Sequence, residues 1–273
     1  MPTLISFIGG GNMARSLIGG LIARGRAPSE LIVADPVPAQ LQSLSSSYGV
    51  RTTPDNEHAA READVVVLAV KPQELRRVVL GLRPALENRR VLLISVAAGI
   101  RARDIERWAG GIPVVRCMPN RPALQGCGMT GLFATSSVSD EHRALAAEIL
   151  SAVGAVLWLD EEQHMDAVTA ISGSGPAYFF LLIEMLEEAG VALGLPRQTS
   201  RKLAVETAYG SGLMAREAPE TPQVLREQVT SKGGTTEAAL AHLEAHQIRS
   251  IFSAAVAAAA RRSAELAEEF GKD

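Results

Sequence analysis

Over roughly the first 160 residues, short apolar runs alternate with stretches whose apolar positions recur at helical spacing. The runs are LISFI at 4–8, LIVAD at 31–35, DVVVLAV at 64–70, RVLLIS at 90–95 and PVVRCM at 113–118, with further strand-like segments at 129–133 and 155–158. Unbroken apolar runs separated by helical segments predict a parallel sheet covered on both faces. Beyond residue 160 the strand signal fades. Residues 178–193, 197–216 and 248–270 are rich in Ala, Leu and Glu, which favour helix. Two domains are therefore expected, an α/β domain over 1–160 and an all-helical domain over 161–273. Helices such as IFSAAVAAAARRSAELAEEF at 251–270 are apolar on several faces. One small bundle would not hide that surface, so the helical domain is expected to pair with a second copy.

The first apolar run leads into FIGGGNMARSLIGGLIARG. Gly9, Gly11 and Ala14 occupy the positions of G-x-G-x-x-G/A, between a strand and a helical pattern carrying Met13, Leu17, Leu21 and Ile22. The first glycine permits the tight turn and the second lets the backbone approach a pyrophosphate. The third small residue lets helix and strand pack closely. A second strand follows and ends at Asp35, 21 residues beyond Ala14. An acidic residue there bonds the ribose hydroxyls of NAD and repels the extra phosphate of NADP; equally, Asp35-Pro36 reads as a turn. The first half is thus a Rossmann-like dinucleotide-binding domain, with the choice between NADPH and NADH open.

Ligands in such sheets bind at the carboxyl ends of the strands. Lys71 of AVKPQ stands at one such end, before the stiff Pro72, within reach of a phosphate or ribose. Ser95-Val96-Ala97-Ala98-Gly99 stands at the next, where small residues would let a flat nicotinamide lie on the backbone. RCMPNRPA at 116–123 follows a third strand, and its Asn120 is a candidate for holding a carboxamide; both segments also read as structural turns. SGSGPAY at 172–178 interrupts the helical pattern after Ile171, either as a plain kink or as a place where a nicotinamide or another chain comes close. Pro176 fits the first turn of the following helix. Glu162 is placed near the domain junction, within approach of the cofactor.

In the helical half the informative stretch is VTSKGGTTEAALAHLE at 229–244. Two glycines and several hydroxyl residues precede a helical pattern. Inward-turned N–H groups and a helix start make a corner suited to a small carboxylate. A capped turn, with Thr236 as the cap, is the competing reading.

Composition narrows the classes. The formal net charge of −3 and an aromatic content of 4% lack the basic, base-stacking surface of a nucleic-acid binder. The run Ala254–Ala260 is too short to span a bilayer, and the chain opens on the fingerprint strand rather than on a secretory pattern. Cys117 and Cys127 lack metal-ligand spacing and read as reduced thiols of a cytoplasmic protein. His242 and His246 are four apart, but no HExxH acid accompanies them, so no metal is expected. No Ser-His-Asp set or paired carboxylates stand out. A dinucleotide site, an anion corner and no acid–base pair point to hydride transfer onto a carboxylate-bearing acceptor that is already electrophilic. A protonated imine meets that description.

FIGGGNMA, AVKPQ, SVAAG, RCMPNRPA, DAVTAISGSGPAYFF and VTSKGGTTEAAL occur in the order and spacing of the pyrroline-5-carboxylate reductase family, which the chain resembles essentially end to end. The resemblance implies reduction of 1-pyrroline-5-carboxylate to L-proline by NADPH or NADH, the last step of proline biosynthesis. It implies that Ile8, Gly9, Gly10, Gly11, Asn12 and Met13 cradle the cofactor, with Asp35 and Asn56 at the adenosine ribose. Ala69, Val70, Lys71, Pro72, Val96, Ala97 and Ala98 match further cofactor contacts. Ser231, Gly233, Gly234, Thr235 and Thr236 match the substrate loop, with Thr236 near the ring nitrogen. It also implies a homodimer whose sites each use two chains; some members join five dimers into a decamer. Three residues depart from the common pattern: Arg121 in place of Thr, Lys232 in place of Pro, and Asp35 in place of a phosphate-tolerant residue. A hydroxyacid-dehydrogenase-like reductase is the rival enzyme, although it needs an acid such as Lys202 in the helical half. A cofactor-sensing protein without turnover is the non-enzymatic alternative.

Overall fold

The computed structural model describes residues 3–271. Its strands are β1 (Ile5–Ile8), β2 (Leu31–Ala34), β3 (Arg51–Thr53), β4 (Val65–Leu68), β5 (Leu92–Ser95), β6 (Val114–Met118), β7 (Gly128–Ala134) and β8 (Gly154–Trp158). Its helices are α1 (Asn12–Ala23), α2 (Pro38–Tyr48), α3 (Asn56–Glu62), α4 (Pro72–Leu86), α5 (Ala102–Trp108), α6 (Asp140–Ser151) and α7 (His164–Val168). There follow α8 (Gly175–Ala192), α9 (Arg197–Glu217), α10 (Pro222–Gln228), α11 (Thr235–Ala245) and α12 (Ile248–Phe270).

The strands form one eight-stranded sheet in the order β3-β2-β1-β4-β5-β6-β7-β8. Side chains alternate between two buried faces. Ile5, Phe7, Val65, Val67, Leu92, Ile94, Val115 and Cys117 enter one core, while Ile8, Val66, Leu68, Leu93 and Val114 enter the other. Both faces are dry, which is why the strands read as unbroken apolar runs. One pairing departs from the expected parallel sheet: β6 and β7 are antiparallel. Only a short 3₁₀ turn, Arg121–Gln125, joins them, and a parallel crossover needs a dozen or more residues. The α6 crossover restores parallel pairing between β7 and β8. Strand β3, with the sequence RTT, carries no apolar run and was not expected.

The chain divides into two compact units. One runs to Gly173 and takes back the chain from Ala259 onward; the other is Ser174–Ala258. The division therefore does not coincide with the change of pattern at residues 160/161. Packing explains the difference. Met165 and Ala170 are fully buried, and a Cβ on Gly131 would stand 2.7 Å from Val168. Ser263 donates to Asp166 at 2.6 Å, and a Cβ on Gly99 would lie 3.1 Å from Leu266. The end of α12 is thus part of the first unit's core.

The second unit is helical throughout. Helices α8 and α9 pack so closely that a Cβ on Gly190 would stand 2.7 Å from the Ser200 hydroxyl. Tyr178 meets Phe252 edge-on at 5.6 Å. Yet Phe179, Phe180, Met185, Tyr209 and Ile251 are 48–68% exposed. The 29-residue run His164–Ala192 contains a window of mean hydropathy 1.2, long and apolar enough by length and composition alone to cross a membrane. The run is not a uniform helix, however, because a π-helical turn, Thr169–Gly173, interrupts it.

Candidate functional site

Strand order sets out the candidate cofactor residues in a row. The carboxyl ends of β3, β2, β1, β4 and β5 lie side by side, and they carry in turn Asn56, Asp35, the loop Ile8–Met13, Ala69–Pro72 and Val96–Ala98. Strand order reverses between β1 and β4, the position where open α/β sheets form a ligand crevice. Backbone bonds tie the row together. Gly9 donates to Ala34 and Ala69 donates to Ile8, both at 2.8 Å, while Asp35 donates to Thr53 at 3.3 Å.

The turn at Gly9 has φ +100°, and a Cβ there would collide with the Ala69 carbonyl at 2.7 Å, so only glycine fits. Gly11 faces open space. It is the N-cap of α1 and no side chain caps that helix, so the first N–H groups of α1 stay open to an anion. A pyrophosphate would fit this opening. Lys71, exposed, caps α4 without a side-chain bond, and Pro72 opens that helix.

Asp35 is 9% exposed. One carboxylate oxygen accepts from Gly10 N–H and the other from Val37 N–H, each at 2.8 Å. The second bond is the Asx turn expected at Asp-Pro. The first was not legible in the sequence: it braces the glycine loop from the neighbouring strand. Such charge-assisted bonds each contribute about 1.5–3 kcal/mol.

Glu162 lies at the β5 end of the row, since Arg116, its partner, pairs with Ser95. Its Oε1 accepts from the N–H of Ala102, at the start of α5, at 2.6 Å and from Arg116 at 2.8 Å. Arg116 is 3% exposed and needs a counter-charge; removing one member of such a buried pair costs about 3–5 kcal/mol. Asn120 differs from expectation, because its amide is engaged internally. Its Nδ2 donates to the Ser172 carbonyl at 3.0 Å and its Oδ1 accepts from Met129 N–H at 2.9 Å.

In the second unit, Val229–Gly234 link α10 to α11. Gly233 has φ +74°. The N-cap of α11 is Gly234, with no side-chain cap bond, so the reading of Thr236 as the cap is corrected. Thr236 lies in the first helical turn, half-buried, where its hydroxyl is not needed to end the helix. The opening N–H groups of α11 are left free of side-chain partners, as an anion corner requires. One neighbouring donor is taken: Glu237 reaches back to Gly233 N–H at 2.6 Å. Arg121 and Lys232 are both exposed. His246 Nδ1 lies 2.8 Å from the His242 carbonyl, which draws that ring nitrogen away from metal ligation.

A row of strand ends built around a glycine turn and an open helix start defines a dinucleotide-binding domain. Comparison with known proteins narrows the class. Residues 162–266 match the model of the pyrroline-5-carboxylate reductase dimerisation family, and residues 4–99 match the model described as NADP oxidoreductase, coenzyme F420-dependent. The chain is 47% identical over 269 residues to a pyrroline-5-carboxylate reductase of Pseudomonas aeruginosa, covering 98% of each. It is 39% identical over 265 residues to that of Arabidopsis thaliana, covering 97% of this chain and 95% of the relative. A solved pyrroline-5-carboxylate reductase from Coxiella burnetii is similar with a TM-score of 0.94 and 43% identity, covering 97% of this chain and 98% of that one. The Plasmodium falciparum pyrroline carboxylate reductase with NADP bound has a TM-score of 0.85 and 30% identity over 97% and 98%. The chain belongs to the pyrroline-5-carboxylate reductase family.

Proposed function

We propose that this protein reduces 1-pyrroline-5-carboxylate to L-proline, the last step of proline biosynthesis, with NADPH or NADH as donor. The observation that carries the reading is the joint presence of the cofactor row and the glycine corner at 231–236 in a chain of this family. Ile8 to Met13, Asp35, Asn56, Ala69 to Pro72 and Val96 to Ala98 hold the coenzyme. Glu162 anchors α5 and Arg116 and lies within approach of the coenzyme. The bound nicotinamide supplies the hydride.

Ser231, Gly233, Gly234, Thr235 and Thr236 hold the substrate. Backbone N–H groups at the start of α11 bind its carboxylate, displacing Glu237 from Gly233. The Thr236 hydroxyl orients the ring nitrogen. The imine nitrogen takes a proton and its carbon takes the hydride, so no strong protein acid is required, and positioning the two reactants supplies most of the rate.

The protein works as a homodimer in the cytoplasm, covering the exposed apolar residues of α8, α9 and α12, and the family resemblance extends to a decamer of five dimers. Neither nucleic acid nor membrane is a partner in this reading. The test is coenzyme oxidation with the cyclic imine, with 2-keto acids as controls and proline as the product. A folded sample forming no proline with either coenzyme refutes it.

A further inference from the structure

The carbonyl of Ser172 is in an unusual position. In a continuing α-helix it would accept from residue 176, which is Pro176 and has no N–H. The next donor along, Ala177 N–H, bonds Ser174 instead. The helix widens here into the π-helical turn Thr169–Gly173, a feature frequent at functional sites. Two hydroxyls bond back into the preceding turn, Thr169 to Met165 at 2.8 Å and Ser172 to Val168 at 3.0 Å. What takes the Ser172 carbonyl is a side chain distant in sequence, the amide of Asn120. The other end of that amide is held by Met129 N–H, so its orientation is set by the β6–β7 pair. Gly173 then presses on β6: a Cβ there would meet the Met118 methyl at 2.5 Å.

The location gives this bond a meaning. A dinucleotide with its adenosine end held by Asp35 and Asn56 and its pyrophosphate at the start of α1 would carry its nicotinamide to the β5 side of the row. Ser95 at the end of β5 pairs in parallel with Arg116 of β6, so the chain leaves β6 toward Met118 and Asn120 at the same end of the sheet at which Val96–Ala98 leave β5. We infer that Asn120 is a positioning residue for hydride transfer: by holding the Ser172 carbonyl it seats the π-helical turn on Met118 and sets the wall at the nicotinamide end of the row. The inference rests on the proposed reaction. Adenosine and pyrophosphate contacts lie elsewhere in the row, so losing the bond disturbs the geometry of transfer more than coenzyme affinity.

Asn120→Asp is the informative variant, because it keeps the acceptor for Met129 N–H and removes the donor to Ser172. Expected is a fall in kcat of about ten-fold or more, with the KM for coenzyme within about two-fold of wild type. A protonated carboxyl donates again, so the ratio of variant to wild-type kcat should rise as pH falls. Wild-type kcat in a folded variant overturns the inference, as does a loss that appears in coenzyme KM alone. A wild-type protein inactive on the imine refutes the reaction itself, a distinct outcome. Should Asn120→Asp not fold, the double variant Asn120→Asp/Pro176→Ala replaces it, since Pro176→Ala supplies a main-chain N–H for Ser172. That protein is expected to fold and to show the same kcat loss. Wild-type kcat in the double variant, or failure of both to fold, assigns the bond to stability alone and overturns the positioning role.

Discussion

Replacing Asp35 by Asn separates two roles that converge on one carboxylate. In the structure both oxygens accept backbone N–H groups, from Gly10 and Val37 at 2.8 Å. An amide keeps one acceptor and turns its NH₂ toward the other N–H, so one charge-assisted bond is lost and the remaining one becomes neutral. The cost is about 1.5–3 kcal/mol. At roughly 2–4 °C per kcal/mol for a chain of this size, the melting temperature should fall by roughly 3–12 °C. The second role is electrostatic. If the carboxylate at the end of β2 faces the ribose, it would repel the extra phosphate of NADPH by an amount on the order of 1–2 kcal/mol. Removing it should raise the ratio of kcat/KM for NADPH over NADH by about 5–30-fold. The assays are thermal unfolding by circular dichroism and initial rates with each coenzyme at fixed imine. An unchanged melting temperature would refute the bracing of Gly10. An unchanged coenzyme ratio would show that the charge does not act on the ribose site, whatever happens to stability.

Thr236→Val should lower kcat/KM for the imine by about 5–150-fold, the equivalent of a lost bond of about 1–3 kcal/mol. It should leave the melting temperature unchanged, because Gly234 and not Thr236 caps α11; a fall in stability with intact turnover contradicts the role. Phe180→Glu places a charge on a side chain that is 60% exposed in the single chain. If that face is the dimer contact, light scattering should show monomers, and a dimer of unchanged mass locates the contact elsewhere. The two cysteines should differ in reactivity. Cys117 is fully buried and desolvation raises its pKa well above the ordinary thiol value, so it stays a protonated, unreactive thiol at neutral and mildly alkaline pH. Iodoacetamide on the native protein should alkylate the exposed Cys127 alone, and modification of Cys117 before unfolding would contradict this.

Local pattern was enough for much of the architecture. Apolar runs buried on both sheet faces announced most of the strands, and stretches rich in helix-forming residues announced α8, α9 and α12 nearly to their ends. The fingerprint was legible because its small residues are contiguous in a strand–turn–helix, although what makes Gly9 obligatory is the Ala69 carbonyl beyond β4; the glycines and helix start at 231–236 are likewise contiguous. What local pattern does not carry is pairing at a distance. Strand β3 has no apolar run and exists because it pairs with β2; β7 is reversed because its connection is short. Asp35 is one residue in sequence terms, yet its meaning depends on Gly10, 25 positions away. Glu162 and Asn120 were placed near the cofactor by sequence, but nothing in the sequence named the partners the fold gives them, Arg116 and Ser172, 46 and 52 positions distant. A buried guanidinium or an unpaired carbonyl takes whichever partner the chain brings within about 3 Å. Composition and spacing state which groups need partners, but only the tertiary packing decides which partners they receive.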